Sequence, residues 1–240
     1  MIRIRYLSDI HLEFYKNLPL KLFLKNNGED ICILAGDIGD PCSGLYKNFI
    51  AHISKTFKKT FVIPGNHEYY NNTIKETNIY MEDFFDNFDN VSLLNNNYEI
   101  YKNYCFVGST LWSMITNPGK KINDIYKIKD FDIQKYNELH FKSYHYLNSI
   151  IKEKENIVMI THHLPSKLLI NEKYKGSEFN QWFANDLDHL IDKEKISAWF
   201  YGHTHDPSVQ NIKGVDFLCN PIGYPGENSD FDLDKFYNLG

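Results

Sequence analysis

Short apolar runs alternate with amphipathic stretches along this chain. Ile2–Leu7, Ile31–Ala35, Phe61–Ile63, Cys105–Val107, Ile157–Ile160 and Ala198–Tyr201 are β-branched or aromatic runs that stop at turn or polar residues, the pattern of buried strands. Between them, apolar residues recur at helical spacing: Leu45, Phe49, Ile53 and Phe57; Ile74, Met81, Phe84, Phe85 and Phe88; and Tyr136, Leu139, Tyr144, Leu147 and Ile151. The spacing predicts a fourth helix over Phe179–Ile191, and Val209–Cys219 predicts added antiparallel strands. Strands alternating with helices imply an α/β sheet covered by helices. No repeat, low-complexity tail or Gly/Pro/Ser-rich linker interrupts the pattern, so residues 1–240 are expected to form one domain. The least regular stretch, Trp112–Asp132, is either a plain surface loop or the wall of a site.

Composition narrows the class. With 42% hydrophobic and 15% aromatic residues, the chain is not a disordered one. A net charge of −5 gives no general basic field, which disfavours nucleic acid as a partner. Cys32, Cys42, Cys105 and Cys219 are scattered without a C-x-x-C pair and read as free thiols in a reducing compartment. No run approaches the roughly 20 apolar residues of a membrane span, and the opening alternates Arg3 and Arg5 with apolar residues instead of forming a signal peptide. A cytoplasmic location and no membrane partner are therefore expected.

Five of the six apolar runs end in residues that can hold a metal. Asp9 and His11 follow the first, two apart in what reads as an extended loop; Asp37 follows the second between Gly36 and Gly39. Asn66 and His67 follow the third after Pro64 and Gly65, His162 and His163 follow a later run, and His203 and His205 follow the last after Gly202. In an open α/β sheet such strand-end loops share one edge. Carboxylate and amide oxygens mixed with imidazoles, and no thiolate, suit Mn, Fe, Zn, Ni or Co better than Ca or Cu(I). His52, His140, His145 and His189 fall within helical patterns and read as solvated or core-edge residues. Asp40 serves either a ligating His or its own turn, and Glu68 reads as structural. Tyr15, Tyr69, Tyr70 and Trp112 are either core residues or a stacking wall, and the turn Tyr224–Glu227 either caps the site or stands apart.

Asp-x-His, Gly-Asp-x-x-Asp, Gly-Asn-His-Glu, a His near a Pro, and Gly-His-Thr-His, in that order from Asp9 to His205, resemble the calcineurin-like metallophosphoesterase superfamily. The resemblance implies a four-layer α-β-β-α sandwich holding two divalent cations. Asp9, His11 and His205 would bind the first metal, Asn66, His162 and His203 the second, and Asp37 both. His67 would protonate the leaving oxygen as a metal-bridging hydroxide attacks phosphorus. His163, Asp40 and Tyr69 are candidates for contact with substrate or support of the ligands, and either His162 or His163 could be the ligand, with His162 preferred for its place at the strand end. Keeping His67 argues against the lipid-A-pathway pyrophosphatases, and the missing Arg-Gly after Gly36–Pro41 argues against protein phosphatases. Thr161–Ser166 and Cys219–Tyr224 look like the small bacterial and phage-type metallophosphoesterases. A small phosphomonoester or phosphodiester, such as a nucleotide, is the implied substrate; a repair-exonuclease-type nuclease and a catalytically silent scaffold are the alternatives.

Overall fold

The computed structural model describes residues 1–227 and 231–240. β1 (Ile2–Leu7), β2 (Ile31–Ala35), β3 (Lys59–Ile63) and β4 (Val91–Leu93) lie side by side and parallel. β5 (Asn97–Tyr101), β6 (Tyr104–Ser109), β7 (Ile157–Thr161), β8 (Ile196–Tyr201), β9 (Ser208–Ile212) and β10 (Val215–Cys219) form a second sheet in the order β5-β6-β7-β8-β10-β9. There β6, β7, β8 and β10 run parallel, while β5 and β9 close the edges antiparallel. β11 (Phe236–Leu239) returns to pair antiparallel with β1.

Burial follows from the largely apolar strands. β2, β3 and β7 are buried at every residue, so each needs a partner on both faces. One face of the first sheet, through Cys32, Leu34 and Val62, packs against Tyr46, Phe49, Ile50 and Ile53 of α1 (Gly44–Thr56) and Met81 and Phe85 of α2 (Ile74–Phe85). Its other face, with Ile4, Ile33, Phe61 and Ile63, meets Phe106, Val158, Ile160 and Phe200 of the second sheet. Phe61 and Phe106 stack there with centroids 4.3 Å apart; truncating either ring costs about 3–5 kcal/mol. After the short α3 (Asp124–Lys127), α4 (Ile133–Glu153) covers the outer face of the second sheet through Leu147, Ile150 and Ile151. The layers are therefore helix, sheet, sheet, helix, as the resemblance implied.

The helices start where side chains satisfy their first N–H groups: Ser43 caps α1, Thr73 and Glu76 form a capping box on α2, and Asp132 caps α4. The helix expected over Phe179–Ile191 does not form; two 3₁₀ turns, Glu178–Trp182 and Asp188–Leu190, stand in its place. Tertiary pairing is the reason. Leu164 N–H donates to Phe183 O at 3.0 Å, and Asn185 N–H donates to Leu164 O at 2.8 Å, so the backbone groups that a helix needs internally are spent on the loop after β7. Val209–Cys219 does give the antiparallel pair β9 and β10. No helix among the described residues is long and apolar enough to cross a membrane.

Candidate metal centre

Because β1, β2 and β3 are parallel, and β7 and β8 likewise, the loops at their carboxyl ends converge on one edge of the sandwich. Backbone hydrogen bonds lace them together. Asp9 N–H donates to Gly36 O (3.0 Å), His11 N–H to Asp37 O (3.0 Å), Gly202 N–H to His162 O (3.1 Å) and Gly223 N–H to Asp9 O (2.8 Å). The Asp9–His11 loop is not extended as expected. Asp9, His11, Asp37, His203 and His205 all have φ between 52° and 68°, a left-handed conformation uncommon outside glycine. The lacing holds these residues there, and such strain gathers at functional sites. Two glycines permit the close approach. A Cβ on Gly65 would lie 2.1 Å from Asp37 Oδ1, and one on Gly36 (φ +86°) would lie 2.5 Å from His162 Nδ1.

Ligand-type atoms meet in three overlapping groups, each within 4.8 Å: Asp9, His11 and His205; His11, Asp37 and His67; Asp37, His162 and His203. Asp37 Oδ2 is central, 3.3 Å from His162 Nε2 and 3.9 Å from both His11 Nε2 and His67 Nε2. Asp37 Oδ1 accepts the His67 N–H at 2.8 Å, while Asp9 accepts the His203 N–H at 3.0 Å. Asn66 donates through Nδ2 to Asp124 (2.8 Å), which aims its Oδ1 toward His162 Nε2 at 3.1 Å.

The imidazoles are oriented from outside. His11 and His205 donate Nδ1–H to the carboxylates of Glu13 (3.1 Å) and Glu227 (2.7 Å), and His162 donates to Ala35 O (2.9 Å). Their Nε2 lone pairs therefore face inward. His11 Nε2 and His205 Nε2 stand 3.0 Å apart, and the buried His203 Nε2 has no hydrogen-bond partner among the described residues. Facing lone pairs repel unless a cation lies between them, so the donor set fits divalent metals. Metal-free, the cluster holds protons instead. Burial opposes charge on His162, yet Asp37 and Asp9 push it up to about 10. Burial and the neighbouring histidines keep His203 well below its ordinary value.

His67 stands beside this cluster, buried and close to Asp37. Its Nδ1–H donates to Glu13 at 2.8 Å. Burial disfavours the imidazolium, but Asp37 and Glu13 outweigh it and raise the pKa to about 9. Burial alone would raise Glu13 too; its hydrogen bonds from His11 and His67 bring it down to about 2. Glu68 lies one residue on, where its carboxylate accepts from Asp37 N–H (3.0 Å), Ile38 N–H (2.7 Å) and Gly65 N–H (2.7 Å). It clamps two ligand loops, as the structural reading of that residue expected.

The other candidates divide between packing and the cleft, and the His163 ring lies against His203 with centroids 4.2 Å apart. His163 is fully buried, with Nδ1 on Thr110 O (3.1 Å) and Nε2 on Tyr136 Oη (3.2 Å); burial and His162 lower it to about 3. Asp40 accepts from Cys42 N–H at 2.9 Å, the turn role and not that of a His partner. Tyr69 is buried with its hydroxyl on Asn78 (2.8 Å), away from the cluster. Tyr70 faces the cleft, but Trp112 is core. The Tyr224 ring lies over His11 (4.5 Å) and His205 (4.8 Å), so the turn does pack on the cluster.

Sequence reasoning missed Glu13 and Phe183, and it gave no individual role to Glu227 or Asp124, although it marks the Tyr224–Glu227 turn and the 112–132 connection that carry them. Glu13 had a signal, since it continues the two-residue spacing of Asp9 and His11. Asp124 is buried and comes from the irregular 112–132 connection; Oδ1 accepts from Asn66 and from Tyr70 Oη (2.7 Å), and Oδ2 has no partner among the described residues. A cleft of about 550 Å³ opens beside the cluster, and Lys121 to Asp124 line it, which gives that connection the role of a wall.

The model of the calcineurin-like phosphoesterase family matches residues 2–207. An uncharacterized protein of Acanthamoeba polyphaga mimivirus is 35% identical over 265 residues, covering 95% of this chain and 94% of that protein. Among solved structures, the phosphopantetheinyl hydrolase of Mycobacterium tuberculosis superposes with a TM-score of 0.72 at 17% identity, covering 92% and 89% of the two chains. A protein of Thermus thermophilus superposes with a TM-score of 0.59 at 13% identity, covering 92% and 89%. These two structural likenesses concern the fold.

Proposed function

The chain belongs to the calcineurin-like phosphoesterase family of metal-dependent hydrolases, and from that premise we propose a two-metal phosphohydrolase acting on a small phosphomonoester or phosphodiester. Asp9, His11 and His205 would hold one divalent cation, Asn66, His162 and His203 the other, and Asp37 would serve both. The observation that carries this reading is the convergence of lone pairs: His11 Nε2 and His205 Nε2 face each other at 3.0 Å while both Nδ1 atoms are committed to carboxylates. When bound, the cations supply Lewis acidity to the phosphoryl oxygens and acidify the attacking water.

The chain's own groups do the rest. His67 lines the cleft with Nδ1 on Glu13, and in the metal-free protein Asp37 and Glu13 favour its charged form. It gives a proton to the departing ester oxygen. Glu13 fixes the ring and favours its charged form, and through His11 it couples the acid to the first metal's ligands. Asp124 keeps the Asn66 amide the right way round. Among the described residues Lys121 is the one lysine or arginine lining the cleft, which offers a nuclease little of the phosphate track it binds.

The test is metal content measured beside Mn-dependent hydrolysis of p-nitrophenyl phosphate and of its bis ester, before and after chelation. Two bound metals with chelator-sensitive turnover is the expected result. Protein that binds metal but turns over neither ester in any of the five metals would be a scaffold, and the proposal would fall.

A further inference from the structure

Beyond the ligands, the largest unassigned feature is the wall of the cleft itself. Two loops build it: the 112–132 connection and the segment 165–185 that follows β7. They are fastened to each other by Trp182 Nε1–H donating to Lys120 O at 3.1 Å and by the Lys120–Glu178 ion pair at 2.9 Å. A further tie runs from Lys173 to Asp206, next to the ligand His205, at 2.6 Å. Behind them Tyr136 of α4 packs on Trp112 (5.0 Å) and Trp182 (5.2 Å), so the surface is backed by a helix.

That surface is ring-lined. Phe183 lies on the His203 imidazole with centroids 4.5 Å apart and planes at 30°. Phe179, Tyr174 and Ile170 line the same cleft, as does Tyr70, which lies against His67 at 4.3 Å. Among the polar groups in this lining, away from the ligand cluster, are the neutral amides of Asn123, Asn171 and Asn180. Asn171 uses its Oδ1 on Lys173 N–H (3.1 Å), which leaves its NH₂ as a donor; Asn180 uses its NH₂ on Tyr174 O (2.8 Å), which leaves its oxygen as an acceptor. A single lysine, Lys121, is offset by Asp124 and Glu227 in the same lining. A volume of about 550 Å³ far exceeds one phosphoryl group, and the charge balance disfavours a second phosphate. Rings for stacking, one free donor and one free acceptor describe a site for a planar heterocycle.

Resting on the phosphohydrolase reading above, we infer that the ester group of the substrate carries a nucleobase, seated between the Phe179–Phe183 wall and Tyr70 with its polar edge on Asn171 and Asn180. The substrate is then a nucleoside monophosphate, or a phosphodiester with one nucleoside arm. Hydrolysis breaks the P–O bond to the leaving group, the nucleoside of a monophosphate or the other arm of a diester; water supplies the oxygen gained by phosphorus and releases one proton to solvent, and His67 supplies the proton gained by the leaving oxygen and is reprotonated from solvent.

The experiment compares substrates that differ only in the base. With Mn-loaded protein, kcat/KM is measured for adenosine, guanosine, cytidine and uridine 5′-monophosphates against ribose 5-phosphate, and for thymidine 5′-(p-nitrophenyl phosphate) against methyl p-nitrophenyl phosphate. Calorimetric titration of the four nucleosides into the protein reads ring binding without turnover. At least one base is expected to raise kcat/KM roughly ten- to a hundredfold over the base-free partner. Its nucleoside should bind and inhibit competitively, and whether a purine or a pyrimidine wins identifies the ring. Phe179→Ala and, should that variant not fold, Phe179→Leu should each lower the ratio and weaken nucleoside binding. Equal turnover with and without a base, together with no nucleoside binding, overturns the ring site while leaving the phosphohydrolase intact. Nucleoside binding without hydrolysis of any ester keeps the ring site and overturns the phosphohydrolase.

Discussion

The two sides of the cleft are built in opposite ways. On one side, every candidate ligand follows the end of a strand whose backbone is buried and hydrogen-bonded, and the ligand loops are laced to one another by Gly36, Gly202 and Gly223. On the other, the wall is loop and 3₁₀ turn, fastened by a few contacts such as Lys120–Glu178 and Lys173–Asp206 between side chains that are largely exposed or half-exposed. Rigid placement suits groups that must share a metal within a few tenths of an ångström. Loop placement suits groups that only choose a substrate, because loops change sequence without disturbing the core. Chemistry and choice are thus assigned to different parts of the fold.

That division can be attacked from the rigid side first. Asp37→Asn removes the oxygen on which three imidazoles converge; kcat/KM should fall by about 10³-fold or more, with lower metal content by elemental analysis. A variant that keeps both would remove the basis for a shared carboxylate. His67→Ala should cost roughly 10²–10⁴-fold in kcat on an alkyl phosphate, whose alkoxide needs a proton to leave, and much less on p-nitrophenyl phosphate, with metal content unchanged. Glu13→Gln should cost roughly 10–100-fold and shift the alkaline limb of the kcat profile to lower pH, since removing the anion beside His67 lowers the imidazole pKa. If the limb stays in place, Glu13 is packing alone.

Smaller effects sharpen the comparison. In chelated protein, His67 has a pKa raised from 6.5 to about 9. The stability it contributes is fully present below 6.5 and is lost as pH rises through about 9. Tm of the metal-free protein should therefore decline across that window, and decline less in His67→Ala; equal slopes would mean that the imidazolium is not held by the fold. Lys173→Ala, on the wall, should change stability by less than about 1 kcal/mol, because the Lys173–Asp206 pair is half-exposed. A larger loss in thermal melts would show that the wall is as integral as the strand ends.

Much of the rigid side was legible in the chain. Buried strands announce themselves as apolar runs, and six runs correspond to β1, β2, β3, β6, β7 and β8 with ends shifted by at most two residues. β4, β5 and β11 were not legible: the first is three residues long, and β5 and β11 are edge strands with several exposed positions, which lack an apolar signature. The Phe179–Ile191 segment misled because apolar spacing is local, whereas the Leu164–Ala184 bridge that overrode it joins residues from different loops. Supporting carboxylates were hidden for the same reason. Asn66 meets Asp124 across 58 residues and His67 meets Glu13 across 54.

The sequence by itself determined which atoms can bind metal and in what order they appear, because coordination demands particular donors and strand ends supply the places for them. Only the tertiary structure decided which way each donor faces. His162 and His163 are neighbours in the chain, yet one points at Asp37 and the other at Tyr136, since a β-strand that leaves the sheet turns successive side chains to opposite sides. The cleft wall, too, exists only in three dimensions. Phe183 reaches His203 because backbone pairing at Leu164 carries it there, and that pairing is long-range, fixed by the folded chain and not by its local pattern.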